Sequence, residues 1–385
     1  MTPHSSTLDI LARLISFPTV SAESNLALID CAEGLLAAAG FTTQRIPDPE
    51  LAKSGLVARI GPDGPGGVLL SAHSDVVPVE GQAWTRAPFE MTREGDRVFG
   101  RGTTDMKGYL ASMLSLAQRV EANRLTAPLM LVISYDEEIG CQGMRKMAPA
   151  LEDLGWTPEL CIVGEPTSMR VATGHKGKAA LRAACHGEAG HSALAPKYVN
   201  ALHLAAEFIA ALKGLQESYA ASGAKDSAYD VPYSTVHAGT LHGGTALNIV
   251  PQQAVIDFEL RHLPQDALPD FLNRLTAETD RICAPYRKHF AGAGIDIAVT
   301  NTYPGLDISS GHPAVQRVAR LCGSDELTKV AFGTEAGFFA GMGFPTVVCG
   351  PGSMEAQGHK ADEYVTLAQL GQCDAMMDRL AAELC

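Results

Sequence analysis

Two residues apart at the end of a short apolar run, His73 and Asp75 offer a ring nitrogen and a carboxylate on one side of the chain. Such a pair suits a metal, because one imidazole nitrogen can ligate while a nearby acid fixes the other. Four more segments carry donors of the same kind: Asp105 in a glycine-rich stretch, Asp136-Glu137-Glu138 and Glu165 after further apolar runs, and His359 near the C-terminus. Carboxylates gathered at one place repel one another and lift their pKa values unless cations hold them ionised. Two divalent metals would do so. Two histidines, one bridging aspartate and two glutamates form a mixed N/O set suited to zinc, with cobalt or manganese as substitutes and no thiolate to select a softer site. A pair of such ions activates a bridging water and polarises a carbonyl, which leaves one carboxylate off the metals to take the proton. Neighbours on a short turn point differently, so Glu137 and Glu138 supply one residue for each job. Glu137 is the expected base.

Sites in open α/β sheets lie at the carboxyl ends of the strands, so the elements before these residues should be strands. The runs at 56–60, 68–71, 129–134 and 160–163 are short, apolar and bounded by turn residues, as buried strands are. Helical spacing of apolar residues recurs from Leu8 to Ile15, over about 23–39, and after 109, which places helices between the strands and predicts a mostly parallel sheet. From Lys178 the pattern changes to strand, helix, strand, strand, helix, strand, with helices over about 200–215 and 269–283. That order predicts an inserted α+β, ferredoxin-like domain with a four-stranded sheet and two helices on one face. The α/β pattern then resumes. The expected boundaries are 1–174 and 302–385 for the catalytic domain and 175–301 for the insertion.

A chain of 385 residues exceeds what one core usually organises, in agreement with two domains. A formal net charge of −13 argues against nucleic acid or an anionic membrane surface as the main partner. No apolar run is long enough to span a bilayer, and no basic-then-apolar leader opens the chain. Nine scattered cysteines without a CxxC pair suit reduced thiols and a cytoplasmic location.

Six motifs together carry a family resemblance: His73-Ser-Asp75-Val-Val-Pro, Gly100-Arg-Gly-Thr-Thr-Asp105-Met-Lys-Gly, Asp136-Glu137-Glu138-Ile-Gly, Val163-Gly-Glu165-Pro-Thr, Gly190-His191-Ser-Ala and Gly358-His359-Lys. The chain resembles, essentially end to end, the M20 family of co-catalytic zinc amidohydrolases and peptidases. Within it the stretches Ala246-Leu-Asn248-Ile-Val-Pro251, Phe258-Glu-Leu-Arg261-His-Leu-Pro264 and Gly333-Thr334-Glu335-Ala336-Gly most resemble the acetylornithine deacetylases. The resemblance implies one zinc on His73, Asp105 and Glu165, a second on Asp105, Glu138 and His359, Asp75 orienting His73, and a cis peptide after Asp105. It also implies a homodimer formed through the inserted lid domain, with His191 reaching a neighbouring subunit's site to stabilise an oxyanion. Asn248, Arg261 and Glu335 are the implied substrate-binding residues, Arg261 by a bidentate hold on the α-carboxylate. The implied reaction is hydrolysis of N-acetyl-L-ornithine to L-ornithine and acetate, a step of arginine biosynthesis.

Rival readings share parts of this pattern. A deacylase of another small N-acyl amino acid, such as succinyl-diaminopimelate, or a dipeptidase would keep the metals and differ in the pocket. A non-catalytic binding protein on the same scaffold would be expected to lose Glu137 or a ligand, and this chain carries them all. For single residues the plain alternatives are structural: Arg261 pairing with Glu259 or Asp257, Asn248 holding a turn, and Glu335 favouring a helix dipole.

Overall fold

The computed structural model describes residues 1–385, which form two compact units, Met1–His175 with Leu306–Cys385 and Lys176–Gly305. The first is built on a nine-stranded mixed sheet. Its order is Thr42–Pro47, Ser54–Ile60, Leu129–Ser134, Val68–His73, Leu160–Val163, Thr346–Val348, Val171–His175 and Leu306–Asp307, with Leu327–Val330 also on Val171–His175. The middle strands, from Leu129–Ser134 through Val68–His73 and Leu160–Val163 to Thr346–Val348, run parallel, and the pairs at the Thr42–Pro47 edge are antiparallel.

Burial on both faces explains why the central strands are continuously apolar. Leu129, Leu131 and Ile133 join one core with Val68, Leu70 and Ala72 of the next strand and with the helices Leu26–Ala38 and Lys107–Ala117. The alternate residues Met130, Val132, Leu69 and Cys161 enter a second core with the helices Gln142–Asp153 and Ala336–Gly341. Period-two alternation thus feeds two layers from one strand.

In the second unit the strands Thr235–Gly243, Gln253–His262, Gly177–His186 and Gly294–Tyr303 form an antiparallel four-stranded sheet in that order. Alternate residues Ala179, Leu181, Ala183 and Cys185 pack with Phe208 and Leu212 of the helix Ala201–Ser222 and with Phe271 and Leu275 of the helix Leu268–Arg287. Both helices outrun their expected ends at 215 and 283, because Tyr219 and the half-buried Tyr286 extend the apolar stripe. The first helix of the chain spans Ser5–Ile15 and begins three residues before the apolar spacing that starts at Leu8. The second starts at Leu26, three residues past its expected start. No helix is long and apolar enough to cross a membrane.

Candidate active site

The carboxyl ends of three parallel strands and two loops bring eight of the singled-out residues together in the first unit. Val68–His73 is buried throughout and delivers His73, whose Nε2 lies 3.1 Å from Asp105 Oδ1 and 3.7 Å from Glu165 Oε1. Leu160–Val163 runs on to Glu165, and Leu129–Ser134 to the acid turn of Asp136, Glu137 and Glu138. Asp105 stands just before the helix Lys107–Ala117, and its peptide to Met106 is cis. Its Oδ2 lies 3.0 Å from His359 Nε2, which is 2.9 Å from Glu138 Oε2. Asp105 therefore offers one oxygen to each histidine. His359 has a 42% exposed side chain, whereas His73, Asp105 and Glu165 are buried, so the cluster opens to solvent on the His359 side.

The electrostatics match a cation site. Burial first, with Asp105 and the neighbouring glutamates, pushes Glu165 well above the usual carboxylate range. Burial does the same to Glu137, against His73 and with Glu138, Glu335 and Asp105 adding, while burial and Asp105 push Glu138 up to about 7. Burial would also raise Asp105, but His359 and His73 outweigh it and hold that carboxyl low. Burial opposes charge on both histidines; the facing carboxylates override it, raising His73 well above its usual value and His359 to about 10. Glu165 Oε1, moreover, is buried without a hydrogen-bond partner. Three crowded carboxyls reluctant to ionise, two histidines and an orphaned buried oxygen fit divalent metal, whose charge reverses that reluctance. Donor atoms of His73, Glu137 and Glu165, and of His73, Asp105 and Glu138, fall into groups within 4.8 Å of one another. Glu137 thus lies as near as the expected ligands, and geometry alone leaves it available to a metal or to a water beside one.

Asp75 serves the acid turn as well as facing His73. His73 Nδ1 meets the backbone carbonyl of Asp75 at 3.0 Å, and the carboxylate stands 3.5 Å off, long for a hydrogen bond. That carboxylate instead accepts the backbone N–H groups of Glu137 at 3.0 Å and Glu138 at 3.3 Å, and the Ser21 hydroxyl at 2.7 Å. Burial would raise it, but His73, Ser21 and the Glu137 amide hold it below its ordinary value. Asp75 grips the acid turn more closely than the imidazole.

Glu335 is 1% exposed. It accepts the Ser134 hydroxyl at 2.8 Å, and burial pushes it up to about 7. It lies behind the acid turn, where it raises Glu137, and not on an open surface.

The remaining three residues belong to the second unit. His191 is exposed on a short strand opposite Ile249, and its Nδ1 accepts the Ala193 N–H at 3.1 Å, which leaves Nε2–H as the donor of a neutral ring. Asn248 is exposed, and its carbonyl accepts the Ser192 N–H at 3.1 Å, so His191 and Asn248 lie on adjoining segments. Arg261 donates through Nε to Glu259 Oε1 at 2.9 Å, the pairing that its sheet position made the plain alternative.

Several supports were not singled out from sequence. Glu363 Oε1 accepts the N–H groups of Thr104 and Asp105 at 2.8 and 3.1 Å, while its Oε2 pairs with buried Arg101 at 2.6 Å. Lys53 pairs with Asp136 at 2.5 Å. The motif around Asp105 contains Arg101, and Glu363 follows His359 by four residues; that adjacency was the available signal.

Residues 69–383 match the profile of the family described as Peptidase family M20/M25/M40. An acetylornithine deacetylase of Photorhabdus laumondii is 32% identical over 389 residues, covering 98% of this chain and 97% of its own. In fold, aminopeptidase PepT from Bacillus cereus superposes with a TM-score of 0.76 at 20% identity, over 100% of this chain and 99% of that one. The Bacillus subtilis YXEP protein, described as a dinuclear metal binding peptidase from the M20 family, does so with 0.67 at 17% identity, over 98% and 97%.

Proposed function

From a chain that belongs to peptidase family M20/M25/M40, and is therefore a metal-dependent amidohydrolase, we propose hydrolysis of N-acetyl-L-ornithine to L-ornithine and acetate. The observation that carries this reading is Asp105, whose two oxygens lie 3.1 and 3.0 Å from His73 and His359 with Glu138, Glu165 and Glu137 around them. The first unit is the catalytic domain in this proposal, and the second a lid that also forms a homodimer. His73, Asp105 and Glu165 would hold one zinc, and Asp105, Glu138 and His359 the other, with cobalt or manganese as substitutes. Bound there, the ions polarise the amide carbonyl and acidify a water. Glu137, adjoining a ligand and raised by burial, takes the water's proton and returns it to the leaving amine nitrogen. Asp75 holds the acid turn through the backbone N–H groups of Glu137 and Glu138. The Nε2–H of His191 donates to the oxyanion from a neighbouring subunit. Asn248 and Arg261 hold the substrate, with Glu335, held by the Ser134 hydroxyl, as the third substrate-binding residue. The setting is cytoplasmic arginine biosynthesis.

A panel of N-acetyl-L-ornithine, N-succinyl-diaminopimelate and simple dipeptides, assayed with the zinc- and cobalt-loaded protein, tests the substrate. The expected kcat/KM for acetylornithine exceeds the others by about tenfold or more. Equal or higher values for another member would move the assignment to that substrate, and no hydrolysis of any would contradict an amidohydrolase.

A further inference from the structure

Lys53 and Asp136 form an ion pair that no ligand role requires. Lys53 is 4% and Asp136 3% exposed, and Nζ lies 2.5 Å from Oδ1. Lys53 stands just before the strand Ser54–Ile60, which pairs antiparallel with Leu129–Ser134 and so brings Lys53 to the start of the acid turn. The same Oδ1 accepts the Ala22 N–H at 2.9 Å. Asp136 has a φ of 54°, in the left-handed region that glycine, asparagine and aspartate enter more readily than other residues. At that residue the chain reverses, and the next two N–H groups converge on Asp75. Downstream the reversal is closed by Gly140 and Cys141, whose N–H groups donate to the Glu137 carbonyl at 2.8 and 2.7 Å.

The turn is thus held from two sides. Asp75 takes its backbone donors, and Lys53 with Ala22 takes the side chain of its first residue. Segment 21–22 serves both, with the Ser21 hydroxyl on Asp75 and the Ala22 amide on Asp136. The Asp136 side chain helps fix where the reversal begins, alongside the Asp75 hold on the Glu137 N–H and the Gln142 N–H on the Asp136 carbonyl at 3.0 Å.

We propose that Lys53 is a positioning residue for the proton transfer: its buried pair with Asp136 sets the left-handed reversal that aims the Glu137 carboxylate. This rests on Glu137 being the base. A shift in aim reduces turnover; Glu138 shares the turn, but His73, Asp105, Glu165 and His359 lie on other elements, so kcat should fall by far more than bound zinc does.

Lys53→Met alone strands a buried carboxylate, so the double variant Lys53→Met/Asp136→Asn carries the test; asparagine tolerates the left-handed region and no buried charge is left. Wild type, the double variant, Lys53→Arg and Glu137→Gln are compared for kcat, KM and bound zinc on the N-acyl amino acid that wild type hydrolyses fastest. The double variant is expected to lose about ten- to hundredfold in kcat, with KM within about twofold and a much smaller loss of zinc per chain than of kcat. Lys53→Arg, which keeps the charge, is expected to recover most of that loss. Wild-type kcat in the double variant, or a fall matched by lost zinc or by a failure of Lys53→Arg to recover activity, overturns the proposal. If Glu137→Gln keeps its turnover, the base assignment falls first and this inference with it. If Glu137→Gln is inactive while the double variant is not, only the role of Lys53 is lost.

Discussion

Replacing Asp75 by asparagine separates its two candidate jobs. The carboxylate accepts the Glu137 N–H on Oδ1 and the Glu138 N–H and Ser21 hydroxyl on Oδ2. Asparagine keeps one acceptor oxygen and puts an NH2 in place of the other, so one amide of the acid turn faces a donor. Leaving a buried donor unpaired costs about 1–3 kcal/mol. If that cost is felt in the transition state, kcat falls by about 5- to 150-fold. His73 keeps its partner, because Nδ1 is met by the backbone carbonyl of residue 75, which the substitution leaves in place. Steady-state kinetics on N-acetyl-L-ornithine, with zinc content measured on the same samples, should therefore show a drop in kcat within that range that exceeds any loss of metal. An unchanged kcat, or a fall explained by loss of one zinc, would refute the reasoning and return the carboxylate to service on His73.

Two further outcomes follow from the surroundings of the site. Burial would raise the Asp48 carboxyl, but the Lys146 ammonium at 2.8 Å, the Glu50 and Leu51 amides and the Tyr135 hydroxyl hold it at about 2. A carboxyl depressed from 3.8 to about 2 stabilises the fold by about 2 kcal/mol at pH above its unfolded pKa, and loses this as pH falls through the folded one. Urea unfolding of Asp48→Asn should show about that deficit near neutral pH, narrowing from about pH 4 to 2; a gap independent of pH would contradict the assignment. A methyl group at Gly350 would sit 2.0 Å from the Gly164 carbonyl oxygen and 2.7 Å from that of Glu165, whereas one at Gly341 meets nothing within 4 Å. Gly350→Ala should cost about 1–3 kcal/mol in thermal stability and weaken zinc retention in a chelator competition, with Gly341→Ala close to wild type in both. Equal behaviour of the two would contradict the close packing behind Glu165.

The central strands were legible because burial on both faces makes them continuously apolar: 129–134 reads as Leu-Met-Leu-Val-Ile-Ser, all buried. The edge strand Thr42–Pro47 was not, since its exposed positions are polar and a proline ends it. The helix Gln142–Asp153 was hidden by Gly143 and Pro149, residues that usually mark turns but here sit where tertiary packing outweighs propensity. At the site, residue types at strand ends and in two motif loops were enough to single out His73, Asp105, Glu138, Glu165 and His359. The supports were not legible in this way. Lys53, Arg101 and Glu363 each read as ordinary surface charges, and only their burial against Asp136, and against one another, separates them from such charges. The division of labour within Asp75, carbonyl to His73 and carboxylate to the acid turn, depends on backbone direction that spacing does not encode.

The most direct measurement is the kcat of zinc-loaded Glu137→Gln on N-acetyl-L-ornithine, alongside its zinc content. A base that is not an essential ligand should leave two zinc ions per chain in place while kcat falls by about 10²- to 10⁴-fold. Turnover within a few-fold of wild type with full metal content would contradict the two-metal, Glu137-assisted hydrolysis proposed for this site.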